Sequence, residues 1–265
     1  MITAFRLDLR RGRVLVIWIG LVAVLYAGGI TLFYPTVLAN AAEYEKLLEA
    51  YPKELLAAFG ISGSLGDPGT FLNSYVFQFL WPLVAAIVAI LLATRPAADA
   101  ERGFLELPLS SRLPRTTYLS AAIGGQIVAI VVLAVLTVVA ILAADAAIEP
   151  DFPTDRVLLA GVHSAAFGFA IAGVTTLLAV VLLDRGRAGG IVAAILIVMY
   201  LANVIAVLSP DLAWLGRLSA FHYFDVKGLI DTGAYPVADS LLYLVFAVGG
   251  WALALVAFRR RDLVA

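Results

Sequence analysis

The chain contains no cysteine and few charged residues. Without cysteine it has neither disulfides nor thiolate metal sites, and cysteine usage gives no information on the redox compartment. Charged residues make up 14% of the 265 residues and hydrophobic residues 63%. Water-soluble domains carry about 25% charged residues. This composition therefore excludes an ordinary water-soluble domain.

Six stretches of the chain lack Asp, Glu, Lys and Arg, and each has 19 or more residues. A helix needs about 20 apolar residues to cross about 30 Å of hydrocarbon, where it satisfies its own backbone hydrogen bonds. None of the stretches alternates polar and apolar residues as barrel strands do. We therefore predict an all-α integral membrane protein whose residues 1–265 form a single transmembrane domain. The six predicted spans are 14–34, 71–94, 118–144, 157–183, 188–210 and 240–258.

The residue patterns of common catalytic sites are missing from the sequence. No G-x-x-x-x-G-K-[ST] occurs, so nucleotide phosphates have no P-loop to bind. The two histidines, His163 and His222, have no His/Glu partners at metal-ligand spacing, and no glycine-flanked serine marks a hydrolase. We expect this chain to have no catalytic residue, metal site or cofactor, and no nucleic-acid partner.

The predicted spans contain no carboxylate. This disfavours a secondary carrier that couples through buried acidic groups, although a stand-alone channel or carrier is an alternative to be tested. The polar groups in the spans are amides, hydroxyls and one imidazole. Such groups join helices at about 0.6 kcal/mol each, and contact with a substrate is the alternative. The polar residues concerned are Asn73, Gln78, Gln126, His163 and Asn203.

The loops between the spans differ in charge on the two sides of the membrane. The side with both termini and the loops 95–117 and 184–187 carries 13 Lys/Arg against 6 Asp/Glu. The opposite side carries 5 Lys/Arg against 13 Asp/Glu. Because an excess of basic residues marks the cytoplasmic side, both termini are predicted to be cytoplasmic.

The N-terminal segment 2–13 has helical amphipathic spacing. Phe5 lies on its apolar face, and Arg6, Arg10 and Arg13 lie on its basic face. This pattern is typical of a helix lying in the membrane interface with its basic side toward anionic lipid. A plain positively charged anchor for the first span is the alternative.

One compact charged segment, DAERGFLELPLSSRLPRTTY (99–118), separates the second and third spans. Apolar residues recur from Ala97 to Leu107 at i, i+3, i+7 and i+10, which predicts a short amphipathic helix, and Pro108 should end it. Such a helix would convert a push from another protein into movement of two spans. An ordinary solvated loop is the alternative. The charged face of the predicted helix consists of Asp99, Arg102 and Glu106.

The other side of the membrane carries two longer segments. Residues 35–70 contain a broken amphipathic pattern and a Gly/Pro-rich link, and they are predicted to form a lid or an interfacial cap. The loop before the last span is rich in aromatic residues, which are predicted to be anchors at headgroup level. These aromatic residues are Trp214, Phe221, Tyr223 and Phe224.

Three motifs give the chain a resemblance to type-2 ABC exporter permeases. ERGFLELPLSSRLPRTTYL (101–119) resembles the segment that leads into the third span in that family. LSAFHYFD (218–225) and FRRRDL (258–263) resemble the motif before the last span and the C-terminal motif. Each motif alone is weak, but the three occur in order and on the predicted sides of the membrane. Ala220 stands where the family has proline, and Phe104 precedes Leu-Glu-Leu.

This resemblance implies a permease subunit in a prokaryotic cell membrane. It would form a translocation path with a second, identical or homologous permease, and separate nucleotide-binding ATPase subunits would hold ATP and Mg²⁺. The segment 2–13 would be an interfacial elbow helix. A mechanotransmitter that acts on an outer partner or lipid without moving cargo is the alternative. The residues assigned to the ATPase-coupling helix are Asp99, Glu101, Arg102, Gly103, Phe104, Leu105, Glu106 and Leu107.

Overall fold

A computed structural model describes residues 2–58, 60–61, 63–103, 114–148 and 152–260 of the chain. Most of these residues are helical, and none of them lies in a β-strand. Six of the helical stretches are long and apolar enough to cross a membrane, which confirms the predicted helical class and number of spans. They are Phe5–Ala39, Pro68–Glu101, Thr116–Ile148, Thr154–Leu182, Arg185–Leu208 and Val237–Arg260.

The helices are numbered here in chain order. Pro68–Glu101 consists of three α-helical parts with a π-helical segment between the first and second. Short 3-10 turns occupy Pro210–Leu218 and Ala220–Tyr223. The π-helical segment is Asn73–Leu80. The α-helices are α1 (Ile2–Ala39), α2 (Ala41–Leu48), α3 (Lys53–Ala58), α4 (Pro68–Leu72), α5 (Trp81–Ala93), α6 (Arg95–Glu101), α7 (Arg115–Ile148), α8 (Thr154–Leu182), α9 (Arg185–Leu208), α10 (Val226–Thr232) and α11 (Val237–Arg260).

The surface of the helix bundle is apolar. Large hydrophobic side chains on α1, α7, α9 and α11 point outward, and some are more than 60% exposed, such as Trp18 and Val245. Soluble monomers rarely expose contiguous apolar patches above a few hundred Å². These exposed side chains are what a hydrocarbon environment requires, so they support a multi-pass membrane protein.

The centre of the bundle is formed by α5, α7 and α8, with α1 packed on α7 and α11 packed on α8. Two glycines bring α8 and α11 together. A Cβ on Gly173 would lie 2.5 Å from the carbonyl oxygen of Ala247, and a Cβ on Gly250 would lie 2.5 Å from the carbonyl carbon of Gly173. Helices in lipid associate through such small residues because burial of apolar surface gives no driving force there.

The two ends of the bundle are identified by contacts between loops and helix ends. At one end the Glu101 carboxylate accepts a hydrogen bond from the backbone N–H of Arg185, and the rings of Tyr118 and Phe258 stack. We call this the basic end, since it holds the arginine-rich N-terminal part of the chain. We call the opposite end, which holds 35–70, the acidic end.

The N-terminal segment does not form a separate interfacial helix. Residues 2–13 are the first turns of α1, which continues without interruption to Ala39. The single glycine in this segment, Gly12, is tolerated because it is buried against Arg95. The predicted elbow helix is therefore wrong as a separate element, and the alternative of a basic anchor continuous with the first span agrees with the structure.

The second span contains a π-helical turn that the sequence pattern did not predict. Pro82 follows this segment and has no backbone N–H, and its ring crowds the carbonyl of the residue four positions earlier. The i→i−4 ladder is therefore interrupted just before Pro82. π-helical turns are rare, occur mostly as single-turn bulges inside α-helices, and are frequent at functional sites.

The loop between α9 and α10 folds back into the bundle. A Cβ on Gly216 would lie 3.2 Å from Ala206 Cβ, and the Ser219 hydroxyl donates to the backbone carbonyl of Met199 at 2.7 Å. The segment 210–223 therefore turns back at the end of α9 and runs alongside it. It covers the part of α9 from Leu208 to Met199, a length of about 13 Å along the helix axis. We call it the re-entrant segment.

Candidate functional site

An ion pair joins α1 to α6 at the basic end. Both terminal nitrogens of Arg11 donate to the Asp99 carboxylate, each at 2.8 Å, and the Tyr118 hydroxyl donates to the same carboxylate at 2.6 Å. Asp99 is 4% exposed. Paired bonds between a guanidinium and a carboxylate fix orientation as well as distance. This cluster therefore holds α1, α6 and α7 in one arrangement.

A second ion pair lies beside the first. Arg95 Nη1 is 3.6 Å from an Asp8 carboxylate oxygen, and both side chains are largely buried. The Asp8 carboxylate fills the space where a Cβ on Gly125 would stand, 2.0 Å from one carboxylate oxygen. Only glycine leaves this room on α7. We call Asp8, Arg11, Arg95, Asp99 and Tyr118 the basic-end junction.

Two further contacts connect α6 to α8 and α9. Ala97 is fully buried in a small cluster with Ala179 of α8 and Ala188 of α9. The Glu101 carboxylate accepts a hydrogen bond from the N–H of Arg185, at the start of α9. The first N–H groups of a helix have no partner within the helix, so this contact satisfies one of them. As a result, α6 is attached to four other membrane helices.

The predicted coupling helix differs from the structure in two respects. A continuous helix from Ala97 to Leu107 is wrong, because α6 ends at Glu101 and Gly103 has a left-handed φ of 69°. Such a glycine is a common helix stop. Asp99 does not lie on an exposed charged face either, since its carboxylate is used inside the junction.

The remaining residues assigned to the coupling helix fall into two groups. Glu101, Arg102 and Gly103 are exposed at the basic end. The other four lie outside the described residues, so their assignment stays a prediction; they are Phe104, Leu105, Glu106 and Leu107.

The residues assigned to an elbow helix lie on two sides of α1. Phe5 faces α7, where a Cβ on Gly124 would be 3.0 Å from its ring. The charged residues of the set are exposed around the basic end, where they can meet lipid headgroups or water. They are Arg6, Arg10 and Arg13.

Asn73 and Gln78 interact with each other across one turn of the π-helical segment. The Asn73 amide donates to the Gln78 side-chain oxygen at 2.9 Å. The carbonyl of Gly60, which precedes α4, accepts from the Ser74 hydroxyl at 2.9 Å. Gly60 has a φ of 80°, and a Cβ there would lie 2.1 Å from the Gln78 oxygen. These amides therefore attach the 35–70 segment to the second span.

Gln126 and His163 connect the third, fourth and sixth spans. The Gln126 side-chain oxygen accepts from Thr176 of α8 at 3.0 Å and from the Trp251 indole at 3.3 Å. His163 Nδ1 lies 2.8 Å from the Ser240 hydroxyl, and Nε2 lies 3.2 Å from the Tyr223 carbonyl. Both side chains make hydrogen bonds between helices, and His163 also contacts the re-entrant segment.

Asn203 differs from the other amides. Its side chain is buried on α9, and it has no hydrogen-bond partner among the described residues. Three buried polar atoms are unpaired within the described part of the chain, namely Asn73 Oδ1, Gln126 Nε2 and the Ser164 hydroxyl. The structure therefore assigns no helix-joining contact to Asn203.

The aromatic residues in and directly after the re-entrant segment differ in burial. Phe224 is 4% exposed and stacks on His163, and Phe221 packs edge-on against Phe167 and Tyr200. Trp214 is 56% exposed, and its role as a headgroup anchor stays a prediction. The same prediction is wrong for Phe224 because the segment bends back toward the core.

Besides a cavity of about 230 Å³ that borders Asp8 and Arg95 of the basic-end junction, two larger cavities open on the sides of the bundle. One, of about 320 Å³, lies between α1, the π-helical segment and α9, and its lining includes Tyr26, Tyr75, Gln78 and Tyr200. The larger, of about 530 Å³, lies between α8, α9, α11 and the re-entrant segment. Among the described residues, no group of three or more acidic or histidine side chains is arranged to hold a metal ion.

Comparison of the chain with models of protein families finds no match, and comparison with curated proteins finds none either. Family membership is therefore not shown, and the resemblance rests on the three motifs alone. Their geometry adds one fact. The motif LSAFHYFD (218–225) is the part of the re-entrant segment that contacts His163 and Tyr243.

Sequence reasoning missed Asp8, Arg11, Arg95 and Tyr118 as site residues. In the sequence, Arg11 is one of four N-terminal arginines, and Arg95 is one charged residue of a predicted loop. Arg11 and Asp99 are 88 residues apart in the sequence, so no local periodicity could indicate that they pair. The one available signal was Asp8, a carboxylate among four arginines at the entrance of a predicted span.

Proposed function

We propose that this chain is the membrane-spanning permease subunit of an ATP-driven ABC transporter of the exporter kind. It forms the translocation path with a second permease, either a copy or a homologue. Separate nucleotide-binding subunits bind ATP and Mg²⁺ and carry out the hydrolysis, so the permease itself contributes no catalytic residue. The basic end faces the cytoplasm of a prokaryotic cell, because loops rich in Lys and Arg are retained on that side.

The attachment of α6 is the observation that carries this proposal. Asp99 binds α1 and α7, Glu101 binds the start of α9, and Ala97 packs on α8. A force applied at the basic end to the segment that follows α6 is therefore passed to several spans at once. A loop that only connected two spans would not need these contacts.

The cavity beside α9 supports a position for the second permease. It places Tyr75, Gln78 and Tyr200 together on the side of the bundle, at the level of the π-helical segment. Only 6% of the most apolar 18-residue window of α9 is buried within this chain. Polar side chains on an otherwise apolar membrane surface favour contact with another protein. We therefore place the second permease against α1, the π-helical segment and α9, with the path between the two subunits.

A site-directed crosslinking experiment tests the coupling contact. Because the chain has no cysteine, each introduced cysteine is unique. Arg102→Cys at the basic end and Asp211→Cys at the acidic end are both at exposed positions. Each variant is co-expressed with the proteins encoded next to it, among which the proposal expects a P-loop ATPase, and is modified with a benzophenone maleimide, followed by illumination.

We expect a permease–ATPase adduct from Arg102→Cys and none from Asp211→Cys. A membrane-impermeant maleimide should label Asp211→Cys in intact cells and Arg102→Cys only after permeabilisation. The proposal fails if the ATPase neither co-purifies with the chain nor forms an adduct with Arg102→Cys. ATP-dependent movement of cargo in proteoliposomes containing the purified complex separates the proposal from a mechanotransmitter that moves nothing.

A further inference from the structure

The larger cavity is enclosed by three membrane helices and the re-entrant segment. Its volume of about 530 Å³ lies within the ~300–1,000 Å³ that small-molecule sites occupy. Phe167 and Ala170 of α8, Met199 of α9 and Phe246 of α11 form much of its wall. The wall is apolar, and it opens on the side of the bundle that faces lipid. The cavity is therefore suited to a hydrocarbon chain that enters from the membrane.

Most polar groups around this cavity are already paired within the chain. The Ser219 hydroxyl donates to the Met199 carbonyl, the Tyr223 hydroxyl donates to the Arg217 carbonyl, and the Tyr243 hydroxyl donates to the Ala220 carbonyl. Each distance is 2.7–2.9 Å. These hydroxyl hydrogens are therefore not available to a ligand, which excludes a site built for a sugar or another polyol.

Arg217 is the exception among the lining residues. Its guanidinium makes no ion pair or hydrogen bond with any described residue, although it borders the cavity and is exposed. It is one of only 5 Lys/Arg on a side of the membrane with 13 Asp/Glu. The five donors of Arg217 are therefore left for water or for another partner.

The position of Arg217 brings its guanidinium within reach of lipid headgroups. Ser219, two residues later, lies about 13 Å inward from the end of α9. The 24-residue α9 is about 36 Å long, compared with about 30 Å of hydrocarbon. Arg217 thus lies close to the boundary between headgroups and hydrocarbon. Arginine side chains near this boundary extend to the interface, and a guanidinium binds carboxylate or phosphate through two parallel hydrogen bonds.

We propose that this cavity is a binding site for an anionic amphipath, whose acyl chain lies between α8, α9 and α11 and whose carboxylate or phosphate binds Arg217. The site is separate from the groove beside α9 where the second permease is placed. Its occupation by lipid does not depend on what the chain transports. A free fatty acid and an anionic phospholipid share this chemistry, and the experiment below distinguishes them.

Photolabelling tests the site directly. The purified chain in nanodiscs of zwitterionic phosphatidylcholine is exposed to three diazirine-bearing probes, namely palmitate, phosphatidylglycerol and phosphatidylcholine. Labelled peptides are identified by mass spectrometry, and labelling is measured against probe concentration. We expect palmitate, phosphatidylglycerol or both to label peptides that include Met199 or Phe246, and phosphatidylcholine to label them only at background. Labelling by palmitate alone identifies a fatty-acid site, and labelling by phosphatidylglycerol identifies a phospholipid site.

Three variants separate the charge from the cavity. Arg217→Gln should weaken apparent binding of the anionic probe about tenfold or more, since it removes a charge-assisted hydrogen bond, whereas Arg217→Lys should keep part of it. Ala170→Leu should reduce labelling by filling the cavity. Arg187→Gln, at an exposed arginine of the basic end, is the matched control and should leave labelling unchanged. Equal labelling by the zwitterionic probe, or equal labelling of Arg217→Gln and wild type, would overturn the proposal.

Discussion

Among single residues, Asp99 is the group on which the basic-end junction depends. Its carboxylate accepts two hydrogen bonds from Arg11 and one from Tyr118. Asp99 is almost fully buried, but the side chain of Arg11 is 46% exposed. Loss of the carboxylate would therefore leave a cation that water can still partly solvate. The cost should be smaller than that of opening a fully buried ion pair, which is about 3–5 kcal/mol.

Asp99→Asn is expected to lower the free energy of unfolding by about 1–3 kcal/mol, because hydrogen bonds to a charged group contribute about that much. Arg11→Gln should have a smaller effect. The double variant should cost less than the sum of the two, since both single changes remove the same pair. Unfolding of the purified protein in a mild detergent measures all three.

Asp184→Asn is the matched control for this series. It removes a surface pair with Arg187, whose side chain is 79% exposed, while an asparagine can still cap the start of α9. Exposed pairs contribute about 0–1 kcal/mol. Strictly additive effects of Asp99→Asn and Arg11→Gln would show that the two side chains do not interact as described.

At the scale of helices, the contact between α8 and α11 depends on two glycines that face each other. Gly173 and Gly250 approach so closely that a Cβ on either would overlap backbone atoms of the other helix. Backbone atoms cannot move aside as a flexible side chain can. The neighbouring Gly249 has open space around its Cβ position, so the same helix provides both a critical glycine and a neutral one.

Gly250→Ala is expected to force α8 and α11 apart and to destabilise the protein by about 1–3 kcal/mol, as overpacking typically does. Gly249→Ala should be neutral or slightly stabilising, because alanine has a higher helix propensity by about 1 kcal/mol. Melting temperatures of the two variants in the same detergent provide the comparison. If both variants melt at the wild-type temperature, the close approach of the two helices is incorrect.

Most of the helices could be predicted from the sequence because the membrane imposes a simple rule. A charge-free stretch of about 20 residues must form a helix in hydrocarbon, and each of the six stretches did so in the structure. The rule says nothing about how a helix continues outside the hydrocarbon. This is why the segment 2–13 was predicted as a separate interfacial helix, although it continues directly into α1.

Two other features depend on contacts that no local pattern records. The π-helical segment arises where Pro82 interrupts the ladder and where Asn73, Gln78 and Gly60 meet. The re-entrant segment is held by the bond between Ser219 and Met199, which are 20 residues apart. Hydropathy predicted a loop with aromatic anchors here, since the segment begins with Pro210 and carries charged residues. Burial of its aromatic side chains follows from tertiary packing alone.

At the scale of the whole molecule, α6 and the re-entrant segment each contact several membrane helices, and they do so at opposite ends of the bundle. At the basic end, α6 is bound to α1, α7, α8 and α9 through the basic-end junction and its neighbours. At the acidic end, the re-entrant segment is bound to α8, α9 and α11 through His163, Met199 and Tyr243. The helices α8 and α9 take part in both sets of contacts. A displacement of α6 would therefore be transmitted to the re-entrant segment through α8 and α9, and this requires no direct contact between the two ends.

Charge reversal at Glu101 and Glu106 tests coupling at this scale, if the proposed function holds. We expect the double change to lysine to weaken binding of the ATPase about tenfold or more, since like charges at an interface cost several kcal/mol. Transport by the reconstituted complex should fall while membrane insertion stays normal, because Glu101 is exposed. ATPase co-purification, ATP hydrolysis and cargo movement are measured on the same preparations.

The contact between Glu101 and the Arg185 N–H requires its own control, because a lysine would lose it as well as reverse the charge. Glu101→Gln keeps an oxygen that can accept this hydrogen bond, so it should transport nearly as well as wild type. Glu54→Lys reverses an exposed charge at the acidic end and should not affect ATPase binding. If Glu101→Gln is as defective as the lysine variants although it keeps the hydrogen bond to α9, the negative charge matters more than that bond. If Glu101→Gln transports like wild type, α6 does not need the charge of Glu101 for recognition of the ATPase.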